Sequence, residues 1–223
     1  MGELTKSLAK PALQVNTQSI VSRLFDQSST FLKPTQIWIN VGHNANTVLE
    51  ALNNSSSLEK VRVIYEPHAL GSLNTLCYLY NNFPYDTLVF HGDLVMSDNY
   101  IKALCANIHL WGHESFVVYH RRLTRRARSQ IAVKKGYIHN FIEQRNSRGA
   151  HYSNVNSGIY FFKSSDLKLI SPPDQPTQIA PEGMKIIMTS FRLRAVHQST
   201  SERIAVEDAL TLSKASKISE KWF

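Results

Sequence analysis

An aspartate that closes an apolar strand through a glycine is placed to hold a divalent cation against phosphate. Asp93 sits in that position, at the end of Phe90-His91-Gly92-Asp93, and a hard cation such as Mg²⁺ prefers oxygen ligands. On these four residues alone, an aspartate opening a turn is an equal reading. Lys10, on a loop fixed by Pro11, can reach a phosphate as a point charge, although a solvated lysine is the commoner outcome. Glu66-Pro67-His68-Ala69-Leu70-Gly71-Ser72-Leu73-Asn74-Thr75 joins a strand to a helix. Gly71 there permits close backbone approach, and the new helix's N–H groups can face a base or phosphate. A lone glycine before a helix more often marks a structural connection. Arg121, Arg122, Arg125, Arg126 and Arg128 bring guanidiniums together for a phosphorylated substrate, nucleic acid or an acidic partner. No aromatic side chain interleaves them, so a solvated basic loop is the default for most of them.

The elements that must position these residues alternate. Gln36–Val41, Val61–Tyr65 and Thr87–Phe90 read as apolar strands, and each is followed by a helical periodicity: Val48, Leu49 and Leu52; Leu73, Leu76, Cys77 and Tyr80; Ile101, Leu104, Cys105 and Ile108. Asn44 or Asn46 is placed to cap the first of these helices, and Ser97 or Asp98 the third. Strand and helix in alternation predict parallel pairing with right-handed crossovers, an α/β fold. After His113 the texture changes to strands with short connections, at Phe116–Tyr119, Gln130–Val133, Tyr137–Ile142 and Gly158–Phe162, with Gly136 as a hairpin turn. Ser171–Pro176 reads as a loop. A strand near Arg192–His197 and a helix from about Glu202 to Leu212 close the chain.

The composition narrows the classes. The chain has 223 residues, 43% of them hydrophobic, enough for a sizeable core and against disorder as the main state. Two cysteines exclude a disulfide scaffold and fit a reducing compartment. The apolar runs are too short to span a membrane and the first residues carry no signal core, so the chain reads as soluble and cytoplasmic, with no membrane insertion. A net charge of +8 suits an anionic partner without choosing one. Nine histidines form no metal-ligand spacing, and neither a G-x-S-x-G elbow nor a P-loop is present, so hydrolase and P-loop readings fall away.

Taken in order, the segments resemble the sugar-1-phosphate nucleotidylyltransferases, among them glucose-1-phosphate thymidylyltransferases and mannose-1-phosphate guanylyltransferases. The resemblance runs from Leu4 to about Ala209. Leu4–Val15 is similar to PLT-x-x-x-PKPLLPV, with Lys10 at the substrate-binding lysine. Glu66–Thr75 resembles the nucleotide loop EP-x-x-LGTAGA, which implies nucleotide contacts at Leu70, Gly71 and Asn74. His91-Gly92-Asp93 matches NGD, with Gly92 beside the nucleotide and Asp93 on the metal. Ile142-Glu143-Gln144-Arg145 falls where FxEKP stands, and Asn156-Ser157-Gly158-Ile159-Tyr160 is similar to NAGIY, so Glu143, Asn156 and Gly158 are implied to meet the sugar or other acceptor. Ser199–Ile204 resembles GTPERL. Each motif alone is weak; together and in order they carry the resemblance.

The resemblance implies a Rossmann-like nucleotide-diphospho-sugar transferase fold with a mixed, mostly parallel sheet. It implies one domain over residues 1–223, with a nucleotide-binding half over 1–113 and an acceptor half over 114–223. The implied activity is transfer of NMP from an NTP to a sugar 1-phosphate or similar phosphate acceptor, with Mg²⁺ and release of pyrophosphate, for activated-sugar or cell-surface polysaccharide synthesis. The departures are informative. The family's opening strand and its LAAGxGTR phosphate loop would precede Leu4, so both are missing here and Met1 reads as an internal methionine of a longer protein. Asn74 replaces a glycine, Gln130 stands where a sugar-binding glycine is usual, Gln144 and Arg145 replace the lysine and proline of EKP, and His197 aligns with the second metal aspartate. These changes imply a weak metal site and very low turnover, and they leave open a degenerate sugar-nucleotide-binding or regulatory module. A related glycosyltransferase is less favoured because no DxD motif is present, nucleic acid is a residual option, and self-association is open.

Overall fold

The computed structural model describes residues 5, 7–53, 61–124, 129–142, 151–199 and 201–222, with backbone alone at 123, 124, 142, 151 and 152. In chain order the elements are β1 (Gln14–Val15), β2 (Gln18–Ser19), α1 (Ile20–Gln27), β3 (Ile37–Val41), α2 (Ala45–Leu52), β4 (Val61–Tyr65), α3 (Ser72–Asn82), β5 (Thr87–Phe90), β6 (Leu94–Met96) and α4 (Asp98–Trp111). There follow β7 (Phe116–Thr124), β8 (Gln130–Lys134), β9 (Tyr137–Ile142), β10 (His151–Phe162), α5 (Ser164–Leu167), α6 (Met184–Ser190), β11 (Arg194–His197), β12 (Arg203–Ala205) and α7 (Ala209–Ser219). The chain divides into two compact units interleaved in sequence: Met1–His68, His91–Cys105 and Ser201–Phe223 form one; Ala69–Phe90 and Ala106–Thr200 form the other.

In the first unit, β3 and β4 pair in parallel from Ile37↔Val61 to Val41↔Tyr65. The α1 helix starts because Ser19 accepts from the Ser22 N–H, and it buries Val21 and Phe25 against Val41, Ala45, Val48 and Leu52. Its other apolar end, Ile20, meets Leu13, Val15, Val95, Val206 and Ala215. Gln27 Nε2 donates to the Met96 carbonyl at 3.0 Å and to Asp98 at 2.9 Å, which ties α1 to β6 and to the start of α4. The β6 strand pairs antiparallel with β12.

The second unit is built on a six-stranded sheet of order β5-β10-β7-β11-β9-β8. One face carries Val117, Tyr119, Tyr160 and Phe162, covered by Leu73, Leu76 and Cys77 of α3 and by Ile179, Met184 and Ile187. Each such side chain, fully buried, contributes about 1.5–3 kcal/mol. Lys135 and Gly136 both have positive φ, 50° and 80°, the pair of left-handed conformations that a tight β8–β9 hairpin takes.

The α/β alternation stands, with two differences. The sheet is mixed, but parallel pairing is confined to β3–β4 and β11–β7 among the described residues, because the long β10 takes β5, β7 and β8 antiparallel. The helix expected from Glu202 to Leu212 is replaced by β12 followed by α7. Asp208 resets the helix start: its carboxylate accepts from the Thr211 N–H while the Thr211 hydroxyl accepts from the Asp208 N–H.

Candidate functional site

Asp93 lies in the turn between β5 and β6. The turn is anchored on the strand side by the Val206 N–H, which donates to the Asp93 carbonyl at 2.9 Å. Lys10-Pro11-Ala12 forms a single 3₁₀ turn with proline in its first positions, where a missing N–H costs nothing. Pro11 packs onto Gly92 so closely that a Cβ there would stand 3.0 Å from the proline Cγ. Gly92 therefore gives Pro11 room for a close approach, and a side chain there would have to push the proline back slightly. The result brings Lys10 Nζ to 3.9 Å from Asp93 Oδ2, with the two side chains 39% and 26% exposed. At that exposure a lysine–carboxylate pair is worth about 0–1 kcal/mol, so both charges remain available to a ligand. Burial holds the neighbouring His91 imidazole below its usual range; Asp93 pulls it up and Arg203 pushes it down. The Asp93 carboxylate thus stands beside Lys10, with His91 next to it in the turn and Arg203 acting on that imidazole. Among the described residues, no group of three or more His, Cys, Asp or Glu is placed to hold a metal ion.

The amino end of α3 has a different environment. Gly71 adopts φ +90°, and a Cβ on it would fall 2.4 Å from the Thr177 backbone. The Leu73 N–H donates to the Thr177 carbonyl at 3.0 Å. Ser72 Oγ donates to Gln178 Oε1 and accepts from the Ile179 N–H. Asn74 uses both ends of its amide: Nδ2 donates to the Pro173 carbonyl at 2.8 Å, and Oδ1 accepts from the Thr177 N–H at 2.9 Å. Gly71 and Asn74 therefore meet residues 173–179, while Leu70 is 48% exposed. The sequence read Ser171–Pro176 as a loop; nothing local in it signals that it and the residues after it cap a helix about 100 positions away.

Asn156 and Gly158 lie in a bulge of β10. Opposite β7 the register runs Asn156↔Tyr119 and then Tyr160↔Val117, and Gly158 turns the chain at φ +70°. Asn156 Oδ1 accepts from the Gly158 N–H at 3.0 Å and its Nδ2 donates to the Tyr160 hydroxyl, so the Asn156 amide holds the bulge itself. Gln130 is buried beside it, opposite Val155. His197, at the end of β11, is exposed, with its ring edge-on to Tyr119 at 5.3 Å. Glu143, and Arg125, Arg126 and Arg128 of the basic cluster, lie outside the described residues; Arg121 and Arg122 are exposed on β7. Sequence reasoning missed Arg203 as a neighbour of the Asp93 turn, since it was read as the start of a helix.

The fold has counterparts among solved structures. The crystal structure of HddC from Yersinia pseudotuberculosis superposes with a TM-score of 0.75 at 14% identity, covering 97% of this chain and 92% of that one. A putative glucose-1-phosphate thymidylyltransferase from Bacillus anthracis, in complex with sucrose, gives 0.74 at 15% identity, with 98% and 89% covered. The CTP:phosphocholine cytidylyltransferase LicC from Streptococcus pneumoniae gives 0.72 at 11% identity, with 97% and 92% covered. No curated protein matches the chain. At these identities the likeness is one of fold. Residues 1–205 match the family described as nucleotidyl transferase, and the chain belongs to that family.

Proposed function

We propose that this nucleotidyltransferase moves a nucleoside monophosphate from an NTP to a sugar 1-phosphate or a similar phosphate acceptor. An acceptor phosphate oxygen attacks the α-phosphorus in line, the bond from that phosphorus to the pyrophosphate oxygen breaks, and pyrophosphate leaves. The observation that carries this reading is the partly exposed Asp93 carboxylate with Lys10 Nζ at 3.9 Å. Lys10 orients a phosphate as a point charge, and with Arg203 it offsets charge that gathers on phosphate oxygens. Asp93 suits Mg²⁺, which keeps several waters and takes one or two carboxylates alongside substrate phosphates. When bound, Mg²⁺ would neutralise phosphate oxygens. The β10 bulge around Asn156 and Gly158, with Glu143, is assigned to the acceptor. The names of the structural relatives support a phosphate acceptor that is not restricted to sugars, since one is named a putative glucose-1-phosphate thymidylyltransferase and another a CTP:phosphocholine cytidylyltransferase. Activated-sugar synthesis in the cytoplasm is the setting this reading favours.

Turnover is expected to be low, because His197 brings no second carboxylate. The test is Mg²⁺-dependent release of labelled pyrophosphate from each NTP with a panel of sugar 1-phosphates and phosphocholine. Release lost in Asp93→Ala supports the reading; release that persists in that variant contradicts it. A second reading is a binding or regulatory module without turnover, favoured by the commitment of Asn74 to Pro173 and Thr177. It predicts sugar-nucleotide binding with no pyrophosphate release from any pair.

A further inference from the structure

The β10 bulge contains a side-chain pair that the proposed reaction does not use. Between the Asn156↔Tyr119 and Tyr160↔Val117 pairings, Ser157, Gly158 and Ile159 face Val118 alone. A bulge of that size leaves backbone unpaired and is stable only if something else fixes it. On one side the Asn156 amide does this, through the Gly158 N–H and the Tyr160 hydroxyl. On the other side His120 Nδ1 lies 3.0 Å from Ser157 Oγ, in a hydrogen bond across from β7. Both residues are buried, His120 at 4% exposure and Ser157 at 0%. A hydroxyl enclosed to that degree cannot meet a substrate, so the pair is not a nucleophile and its base.

We infer that His120 is a positioning residue for the acceptor, acting through Ser157 to fix the bulge that presents Asn156 and Gly158. The inference rests on the acceptor assignment proposed above. His120 is well connected for this role. Its neighbour Tyr119 accepts from the Gln198 N–H at 2.9 Å and sets its ring against His197. Residues 119 and 120 of β7 therefore link the bulge to the end of β11. Removing the Ser157 hydroxyl leaves the His120 nitrogen without that partner and frees Gly158 to move.

The test uses the full chain with Ser157→Ala, a change that removes one heavy atom, and with His120→Asn, whose amide stands near the position of Nδ1. Amide hydrogen exchange at Gly158 is read by NMR. Affinities are read by calorimetry for α-D-glucose 1-phosphate, α-D-mannose 1-phosphate, phosphocholine and Mg²⁺-loaded GTP. In Ser157→Ala, Gly158 exchange is expected to quicken and acceptor affinity to fall by about tenfold, as loss of a hydrogen bond to a buried partner implies. GTP affinity stays at its original value, and His120→Asn remains close to the starting protein. Unchanged Gly158 exchange overturns the proposal, as does an equal loss of acceptor and GTP affinity. If the unaltered chain binds none of the three acceptors, the acceptor reading falls and the positioning role falls with it. That failure differs from failure of the pair alone, in which acceptor binding is present and Ser157→Ala leaves it unmoved.

Discussion

The turn carrying Asp93 and the amino end of α3 read alike in sequence: each follows an apolar strand, each holds a glycine, and each resembles a nucleotide-facing loop. Their environments in the folded chain differ. At the first, Gly92 lets Pro11 approach, and the packing brings Lys10 and Asp93 together with both side chains partly exposed. At the second, Gly71 lets Thr177 approach, and the Ser72 and Leu73 N–H groups and the Asn74 side-chain amide are taken by residues 173–179. A glycine that permits close approach does not say what approaches. Here protein fills both spaces, and only the first leaves charge uncommitted.

The largest effect that can break this comparison is at Gly71. A Cβ would collide with the Thr177 backbone and the residue would be held at φ +90°, so Gly71→Ala should cost about 3 kcal/mol or more, from overpacking and strain together. Urea denaturation measures it; a loss below 1 kcal/mol would mean residues 173–179 do not sit where described. Asn74→Ala comes next. It strips partners from the Pro173 carbonyl and the Thr177 N–H, so about 2 kcal/mol is expected, with affinity for Mg²⁺-loaded NTP unaltered. A variant that kept its stability and lost nucleotide would return Asn74 to the ligand.

How much of this was legible is clearest at such positions. The helix after Gly71 follows from local apolar periodicity, which folding preserves because its Leu73, Leu76 and Cys77 become core; the strands at 61–65 and 87–90 form where their apolar runs predict them, although Val63 and Tyr65 stay exposed. Asp93 and Lys10 were legible as candidates because a strand end and a proline-fixed loop constrain where a side chain goes. The capping of α3 by residues 173–179 was not, since a polar, proline-rich stretch gives no one-dimensional sign of its distant partner. Nor was the β10 bulge, because a register shift shows only against β7, although Asn156, Ser157 and Gly158 help to hold it once formed. At the carboxyl end, the helix expected from Glu202 starts later, because Asp208 and Thr211 form a capping box.

Smaller effects sharpen the same contrast between open and closed charge. Lys10→Ala should weaken phosphate or nucleotide binding by about tenfold while moving stability by less than about 1 kcal/mol, because a partly exposed pair contributes little to folding. A drop in stability without a drop in affinity would make Lys10 structural. The closed counterpart is Glu114 with Arg194, whose Nε and second terminal nitrogen donate to the two carboxylate oxygens at 3.1 and 2.8 Å. The Arg194 hydrogen bond holds the Glu114 carboxyl below its ordinary range, against the opposing effect of burial. The unfolded chain therefore takes up this proton first as pH falls. The stability the pair adds is complete above about pH 4 and is lost as pH drops through the lower folded value. Arg194→Gln should flatten that acid slope; an unchanged slope between pH 5 and 2.5 would remove the pair from the account.

The central claim is that phosphate chemistry belongs to the Asp93–Lys10 turn and not to the amino end of α3. Titrating the ¹⁵N-labelled chain with Mg²⁺ and each of the four NTPs reads both places at once. Shifts at the amides of Lys10, Gly92, Asp93 and Leu94, with those of Leu73, Asn74, Thr177 and Ile179 unmoved, are the predicted result. Shifts confined to Leu73, Asn74 and Thr177 would contradict it.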